Sequence, residues 1–79
     1  MEIKVLGGGC ASCKKLYETA QDAVKELNIK AEILYITDMT QIMQAGIMST
    51  PALMVNGKVK STGRVLKLKE IKQIISDEN

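Results

Sequence analysis

A helical pattern lies between two strand patterns in the first half of this chain, and this order determines how the strands run. Ile3 and Val5 alternate with charged residues as in a half-buried strand. A second strand is predicted over residues 31–37. Between them, apolar residues recur at helical spacing from about Ala11 to Leu27, with charged residues on the other face. A helix that connects two neighbouring strands makes them parallel, with a right-handed crossover.

Cap and turn signals divide the second half of the chain into a short helix and a hairpin. Asp38 with Gln41 three residues later has the form of a capping box, and Gly46 is a matching stop for the helix between them. The Asn56-Gly57 pair lies between two strand patterns and is a strong hairpin signal. We therefore expect one short helix followed by two antiparallel strands.

Apolar residues at helical spacing from Leu68 to Ile75 predict a last helix. Its start is weakly signalled, because Lys67 is a poor N-terminal cap. The predicted order is βαβαββα, which is an α/β fold with a four-stranded mixed sheet and helices on both faces. A chain of 79 residues is long enough for one domain only, so we expect a single domain over residues 1–79.

Composition removes several classes of function. The chain has no Trp and no Phe for stacking on bases, and its net charge of +2 is small for a phosphate-binding surface, so nucleic acid is not an expected partner. It has no His, the commonest general base and metal ligand. No stretch approaches the roughly 18 apolar residues of a membrane span, and none has the form of a signal peptide. We therefore expect no membrane association and a cytoplasmic protein, in a compartment that keeps thiols reduced.

The two cysteines, Cys10 and Cys13, lie three residues apart at the predicted start of the first helix. The unpaired backbone N–H groups and the positive dipole end of a helix start favour the thiolate form of Cys10. Lys14 and Lys15 add positive charge, and no carboxylate lies within four residues of either cysteine. Cys13 is almost one turn further on, so its sulfur can reach Cys10, and it should be the more buried of the two. A stabilised Cys10 thiolate is a good leaving group when Cys13 resolves a mixed disulfide, so the pair can carry out thiol–disulfide exchange.

The same two sulfurs also suit a soft metal ion, and a carrier of Cu(I) or a similar ion is the alternative function. Ferredoxin-like copper carriers display two thiolates after a glycine-containing loop, so the Cys-x-x-Cys spacing alone does not separate the two functions. Those carriers have the order βαββαβ, whereas this chain predicts a helix at the end and places Thr50-Pro51 directly before its third strand. The predicted element order favours redox chemistry by the cysteines themselves, with no resident metal and no other cofactor.

Three features together resemble the thioredoxin superfamily, and the resemblance covers nearly the whole chain. They are Cys10-x-x-Cys13 after the first strand, Thr50-Pro51 before an Asn-Gly hairpin, and Gly63 after that hairpin. The size and the Gly-Gly-Cys-x-x-Cys-Lys context are most similar to the small, glutaredoxin-sized thioredoxins of archaea and bacteria, often called redox-active disulfide proteins. The resemblance implies a thioredoxin-like fold and a thiol–disulfide oxidoreductase that reduces or exchanges the disulfides of partner proteins.

The resemblance also implies roles for individual residues. Cys10 would be the attacking thiol and Cys13 the resolving thiol. Pro51 would be a cis-proline, the backbone of Thr50 would pair with an extended substrate segment, and Gly63 would line the same groove. Further substrate contacts are expected at exposed positions near the cysteines and before the proline: Ala11, Ser12 and Met48.

The implied partners are disulfide-containing protein substrates and an electron donor of the thioredoxin-reductase type, and the implied state is a monomer that takes part in electron transport. Two positions depart from the thioredoxin pattern: Ala11-Ser12 stand where thioredoxins have Gly-Pro, and Gly9 stands in place of a tryptophan. Ile47 is predicted to pack in the core rather than at the rim of the site. The three cations nearest to the predicted site are interpreted as solvated surface: Lys14, Lys15 and Arg64.

Overall fold

The computed structural model describes residues 1–78. The order of its elements is the predicted βαβαββα, which is therefore confirmed. No helix in these residues is long and apolar enough to cross a membrane. The elements are β1 (Glu2–Leu6), α1 (Ala11–Leu27), β2 (Glu32–Ile36), α2 (Met39–Gln44), β3 (Ala52–Val55), β4 (Lys58–Thr62) and α3 (Leu68–Glu78).

The four strands form one mixed sheet in the order β2-β1-β3-β4. The predicted crossover is present, because β1 and β2 are parallel with Ile3 beside Ile33. β3 runs antiparallel to β1, and β4 runs antiparallel to β3. β1 is therefore an interior strand, and the chain that leaves its carboxyl end carries the two cysteines into α1.

The helices cover both faces of the sheet, as predicted, but two of them share one face. Side chains alternate along each strand, so Val5 faces α1 and α3 while Leu6 faces α2. The core under α1 and α3 consists of Ile3, Val5, Leu16, Ala20, Ala23, Leu53, Val55, Leu66, Ile71 and Ile75. On the other face, a smaller cluster contains Leu6, Ile42, Ile47 and Ala52.

Two turns, the second of them predicted from the sequence, position β2 and β4. Asn28 ends α1 in the left-handed conformation, with φ 53° and ψ 45°. The N–H groups of Asn28 and Ile29 donate to carbonyls of the last helical turn, which is the Schellman arrangement. In the hairpin, Asn56 and Gly57 have φ of 52° and 81°, the positive values that a tight two-residue turn requires.

Candidate redox site

Cys10 is the N-cap residue of α1, at the helix start where the sequence analysis placed it. Its backbone is extended, with φ −70° and ψ 167°, and its carbonyl accepts the N–H of Lys14 at 3.0 Å. Its Sγ accepts the backbone N–H of Cys13 at 3.2 Å. The side chain is solvent-exposed. An exposed sulfur thus occupies the place where Ser or Asp oxygens usually cap a helix.

Cys13 lies in the first turn of α1 and is completely buried. Its Sγ is bonded to Sγ of Cys10, and the two Cα atoms are 5.1 Å apart, within the range of protein disulfides. The prediction that Cys13 is the more buried cysteine is confirmed. The two sulfurs therefore differ in access, because an incoming protein can reach Cys10 from solvent while Cys13 is covered.

Gly7 is a residue of the site that the sequence analysis missed, since it assigned no role to this glycine. A Cβ at Gly7 would lie 2.9 Å from Cβ of Cys13, would overlap Sγ of Cys13, and would lie 3.9 Å from Cα of Pro51. Gly7 also donates its N–H to the carbonyl of Ile36 at 2.9 Å, which extends the pairing of β1 with β2. The missed signal is a glycine between the last buried residue of a strand and a helix that packs over it.

Pro51 belongs to the segment between α2 and β3, and it lies close to Gly7 in the loop that precedes the cysteines. The Thr50–Pro51 peptide bond is cis, with Pro51 buried and Thr50 exposed. Gly63 donates its N–H to the carbonyl of Pro51 at 2.9 Å, and its φ is +71°. A Cβ at Gly63 would lie 3.1 Å from Cβ of Ser49. The fold thus brings together Gly7, Pro51 and Gly63, which are far apart in the sequence.

The remaining predicted contacts lie on the surface around this group. Ala11 and Ser12 are exposed in the first turn of α1, next to Cys10. Met48 is 98% exposed, two residues before Thr50. Ile47, in contrast, is 5% exposed and packs in the smaller core cluster, which confirms its predicted packing role.

The helix starts differ in how their amides are satisfied. At α3, Oε1 of Glu70 accepts the N–H of Lys67 at 3.1 Å, and Oε2 accepts from Arg64 at 3.0 Å. The hydrogen bond from the Lys67 backbone, with the Arg64 guanidinium beside it, holds the pKa of Glu70 below its ordinary value. At α2, Oδ1 of Asp38 accepts the N–H of Thr40 at 2.9 Å. The first turn of α1 contains no acidic residue, and there the capping atom is a sulfur.

The three cations near the site lie on the solvated surface, as predicted. Lys14 and Lys15 are exposed and form no ion pair within residues 1–78. Arg64 is also exposed, but it is bound to Glu70 instead of being free in solvent. The cations next to the cysteines are therefore the unpaired ones.

The arrangement does not match the carrier alternative. α2 lies between β2 and β3, whereas the ferredoxin-like carriers have two consecutive strands at that point. The two sulfurs are bonded to each other, which is the oxidised form of a redox pair.

The fold and the bonded Cys10–Cys13 pair define a class of protein, the thiol–disulfide oxidoreductases of thioredoxin-like fold. The sequence model of the family described as thioredoxin domain matches residues 1–76. The chain belongs to this thioredoxin family, and the resemblance seen in the sequence is confirmed.

Two proteins named thioredoxin are similar over most of their length. The chain is 47% identical over 76 residues to the thioredoxin of Methanothermobacter thermautotrophicus, an alignment that covers 96% of this chain and 99% of the relative. It is 34% identical over 71 residues to the thioredoxin of Methanocaldococcus jannaschii, covering 90% of this chain and 81% of the relative. The protein is thus a thiol–disulfide oxidoreductase that acts on protein disulfides through its Cys-x-x-Cys pair.

Proposed function

We propose that Cys10 is the nucleophile that attacks the disulfide of a partner protein and that Cys13 is the resolving thiol. The single observation behind this assignment is the position of the Cys10 sulfur. It is exposed, it caps α1, and it lies 3.2 Å from the amide nitrogen of Cys13, while the Cys13 sulfur is buried behind it. Amide dipoles at a helix start stabilise an anionic sulfur, so the thiolate of Cys10 is the favoured attacking species.

The reaction proceeds in two exchanges. The Cys10 thiolate attacks one sulfur of the partner disulfide, forming a mixed disulfide and releasing the other partner sulfur as a thiolate. The Cys13 thiolate then attacks Sγ of Cys10, forming the Cys10–Cys13 disulfide and releasing the second partner sulfur. Two electrons pass from the protein to the partner, and the two protons of the original dithiol end on the partner thiols. A dithiol electron donor then reduces the Cys10–Cys13 disulfide by two further exchanges and is itself oxidised to a disulfide.

The substrate segment, in this proposal, lies across the surface formed by Thr50, Gly63 and the first turn of α1. Thr50 is exposed beside buried Pro51, so its backbone can form β-type hydrogen bonds with an extended peptide. Gly63 has no side chain to obstruct that peptide, and it is tied to Pro51 by the 2.9 Å hydrogen bond. The contacts proposed around it are side chains exposed on the same surface: Ala11, Ser12 and Met48.

We further propose a thioredoxin-reductase-type electron donor, a cytoplasmic location and a monomeric state. The Cys10–Cys13 pair must be reduced again after every turnover, and the cytoplasm keeps thiols reduced. No separate cofactor and no metal enter the proposal, because the exchange balances with sulfur alone.

The first test is the reduction of insulin by dithiothreitol, followed as turbidity. The wild-type protein should accelerate the reaction, and Cys10→Ala should reduce it to the uncatalysed rate. Equal rates for the two proteins would refute the role of Cys10.

The second test separates the two cysteines. Cys13→Ser should accumulate a mixed disulfide between Cys10 and insulin, detected as an added mass on non-reducing gels and by mass spectrometry. Cys10→Ser should trap nothing under the same conditions. A trapped adduct on Cys13 instead of Cys10 would reverse the assignment.

A Cu(I) titration of the reduced protein against a competing chelator tests the carrier alternative. The redox assignment predicts that the reduced protein keeps its insulin-reducing activity while the chelator buffers the free Cu(I) concentration. Tight stoichiometric Cu(I) binding together with no insulin activity would favour the carrier.

A further inference from the structure

An open groove runs between β4, an edge strand of the sheet, and α3. β4 pairs with β3 on one side only, so its outer backbone N–H and C=O groups have no partner strand within residues 1–78. Such an edge can accept a further extended strand from another chain. The groove beside it is lined by Val59, Lys60, Ser61, Arg64, Lys69 and Ile74.

The groove has an apolar part and an unsatisfied hydroxyl. Val59 is 44% exposed there, with Ile74 of α3 on the opposite wall. The Oγ atom of Ser61 is buried and has no hydrogen-bond partner among the residues that the structure describes. Buried hydroxyls are normally hydrogen-bonded, so this one is an exception among the described residues, but it is closed to solvent and offers no contact to a ligand in the groove.

The charge of the groove favours an anionic ligand. Its lining contains three cations and a single carboxylate, that of Glu70, which is already bound by Arg64. Lys69 forms no ion pair within residues 1–78, and Lys60 is paired with Glu78, which does not line the groove. A carboxylate on the ligand would complement this charge.

The groove is also continuous with the redox site. β4 ends at Thr62, which lines the groove, and the next residue is Gly63. Gly63 donates a hydrogen bond to Pro51. Pro51 in turn lies close to Gly7, since a Cβ built on Gly7 would be 3.9 Å from Cα of Pro51 and in contact with Cys13. A chain that passes over Gly63 can therefore continue along β4.

We propose that the groove between β4 and α3 binds an extended, acidic segment of the partner protein as an added strand on β4. The proposal rests on the proposed function, since this segment is the continuation of the one that carries the disulfide. Its backbone pairs with the free edge of β4, its apolar side chains cover Val59 and Ile74, and its carboxylates lie near Lys69. The five residues of β4 span about 17 Å, the length of a five-residue strand.

A second copy of this chain fits the edge less well than an acidic partner. Two β4 strands side by side would bring Lys58 and Lys60 of both copies together, and like charges on paired strands are unfavourable. An acidic strand replaces that repulsion by attraction.

The binding test uses the oxidised protein and a blocked six-residue peptide of alternating valine and glutamate, without cysteine. Titration followed by amide NMR shifts should perturb β4 and α3 and leave the β2 edge unchanged. A valine-lysine peptide, and the acidic peptide with N-methylated backbone amides, should bind at least tenfold more weakly, about 1.4 kcal/mol. Equal binding of the three peptides, shifts at β2, or dimerisation without peptide would overturn the proposal.

Variants locate the site on the protein. Lys69→Glu should weaken the acidic peptide by roughly tenfold, and it should fold well because a carboxylate is favourable in the first turn of α3. Lys30→Glu, the same charge change at an exposed residue away from the groove, should have no effect. Equal losses for Lys30→Glu and Lys69→Glu would overturn the proposal.

A kinetic test connects the groove to catalysis. A peptide disulfide with an alternating valine-glutamate extension should have a higher kcat/KM than the same disulfide without it, and Lys69→Glu should abolish the difference. An extension with no effect would overturn the groove proposal while disulfide turnover by Cys10 stood unchanged. Failure of the wild-type protein to turn over either substrate would instead refute the proposed function.

Discussion

The first backbone N–H groups of α1 and of α3 have no partner within their own helix, and the two helices satisfy them with different groups. At α3, the carboxylate of Glu70 binds the backbone N–H of Lys67 and is itself bound by Arg64. At α1, the capping atom is the exposed sulfur of Cys10, and no carboxylate lies in the first turn. A carboxylate at this position would stabilise α1 by about 0.3–1 kcal/mol, so the sequence omits a stabilising group at the start where an anionic sulfur is required.

The difference shows how one structural feature is used for two purposes. The positive end of α3 is neutralised within the protein by the carboxylate of Glu70, which contributes to folding. The positive end of α1 is left for a sulfur that changes its charge and its bonding partner during the reaction. Changing either start should therefore give separate effects on activity and on stability.

The largest effect is expected when the sulfur is replaced and the cap is kept. Cys10→Ser retains a good N-cap oxygen, so the stability of the variant should match that of the wild-type protein compared in its reduced form. Its insulin-reducing activity should fall by roughly a thousandfold or more, because the nucleophile is gone. Urea unfolding with excess reductant and the turbidity assay measure the two quantities. A variant that unfolds as readily as Cys10→Ala would show that the hydroxyl does not replace the sulfur as a cap.

A methyl group beneath the α1 start should cause the next largest effect. Gly7→Ala places its Cβ against Cys13, and Gly7 is held in place by its hydrogen bond to Ile36. Overpacking of this kind reduces the free energy of unfolding by about 1–3 kcal/mol. Gly8→Ala is the matched control, because a Cβ there would meet nothing within 4 Å, and it should change stability by less than about 0.5 kcal/mol. Equal urea midpoints for the two variants would contradict the close approach.

A carboxylate in the first turn of α1, like that of Glu70 in α3, should slow the chemistry at Cys10. Ser12→Asp adds a carboxylate to the first turn, beside the sulfur, and should disfavour the thiolate. The rate of alkylation by iodoacetamide near pH 6 should fall by up to about tenfold, equivalent to about 1.4 kcal/mol. The neutral variant Ser12→Asn controls for size and should alkylate at the wild-type rate. A comparable slowing in Ser12→Asn would mean that charge is not the cause.

The smallest effect is expected at α3. Because the pKa of Glu70 is lowered in the folded protein, the stability from its ionised form is present above the ordinary glutamate pKa, near 4.5. It is lost as the pH falls through the lower folded-state pKa. Glu70→Gln should therefore lower the thermal midpoint slightly at pH 7 and by less in acid. Glu18→Gln, at an exposed residue with no ion pair in the described chain, is the control. A midpoint difference that persists undiminished in acid would contradict this assignment.

Local sequence signals predicted the parts of the structure that local physics controls. The Asn56-Gly57 turn and the short helix after Asp38 both follow from neighbours within a few residues. The capping box at Asp38 is half formed, because its carboxylate binds the Thr40 N–H and Gln41 returns no hydrogen bond within residues 1–78. The sequence analysis found only a weak signal for the start of α3 and overlooked Glu70. This residue, three positions after Lys67, supplies the stabilising group in place of the cap residue.

The sequence by itself determined the order of the elements, the Cys10-x-x-Cys13 spacing at a helix start and the greater burial of the second cysteine, because periodicity and capping act over one or two turns. Only the tertiary structure decided that α1 and α3 share one face, that Gly7 must lack a side chain, and that Gly63 lies beside Pro51. These features arise when segments distant in sequence pack within a few ångströms, and a pattern within one segment does not record which neighbour it will meet. The redox pair could therefore be recognised from the short segment around Cys10 and Cys13, whereas the surface around the pair depends on how the whole chain folds.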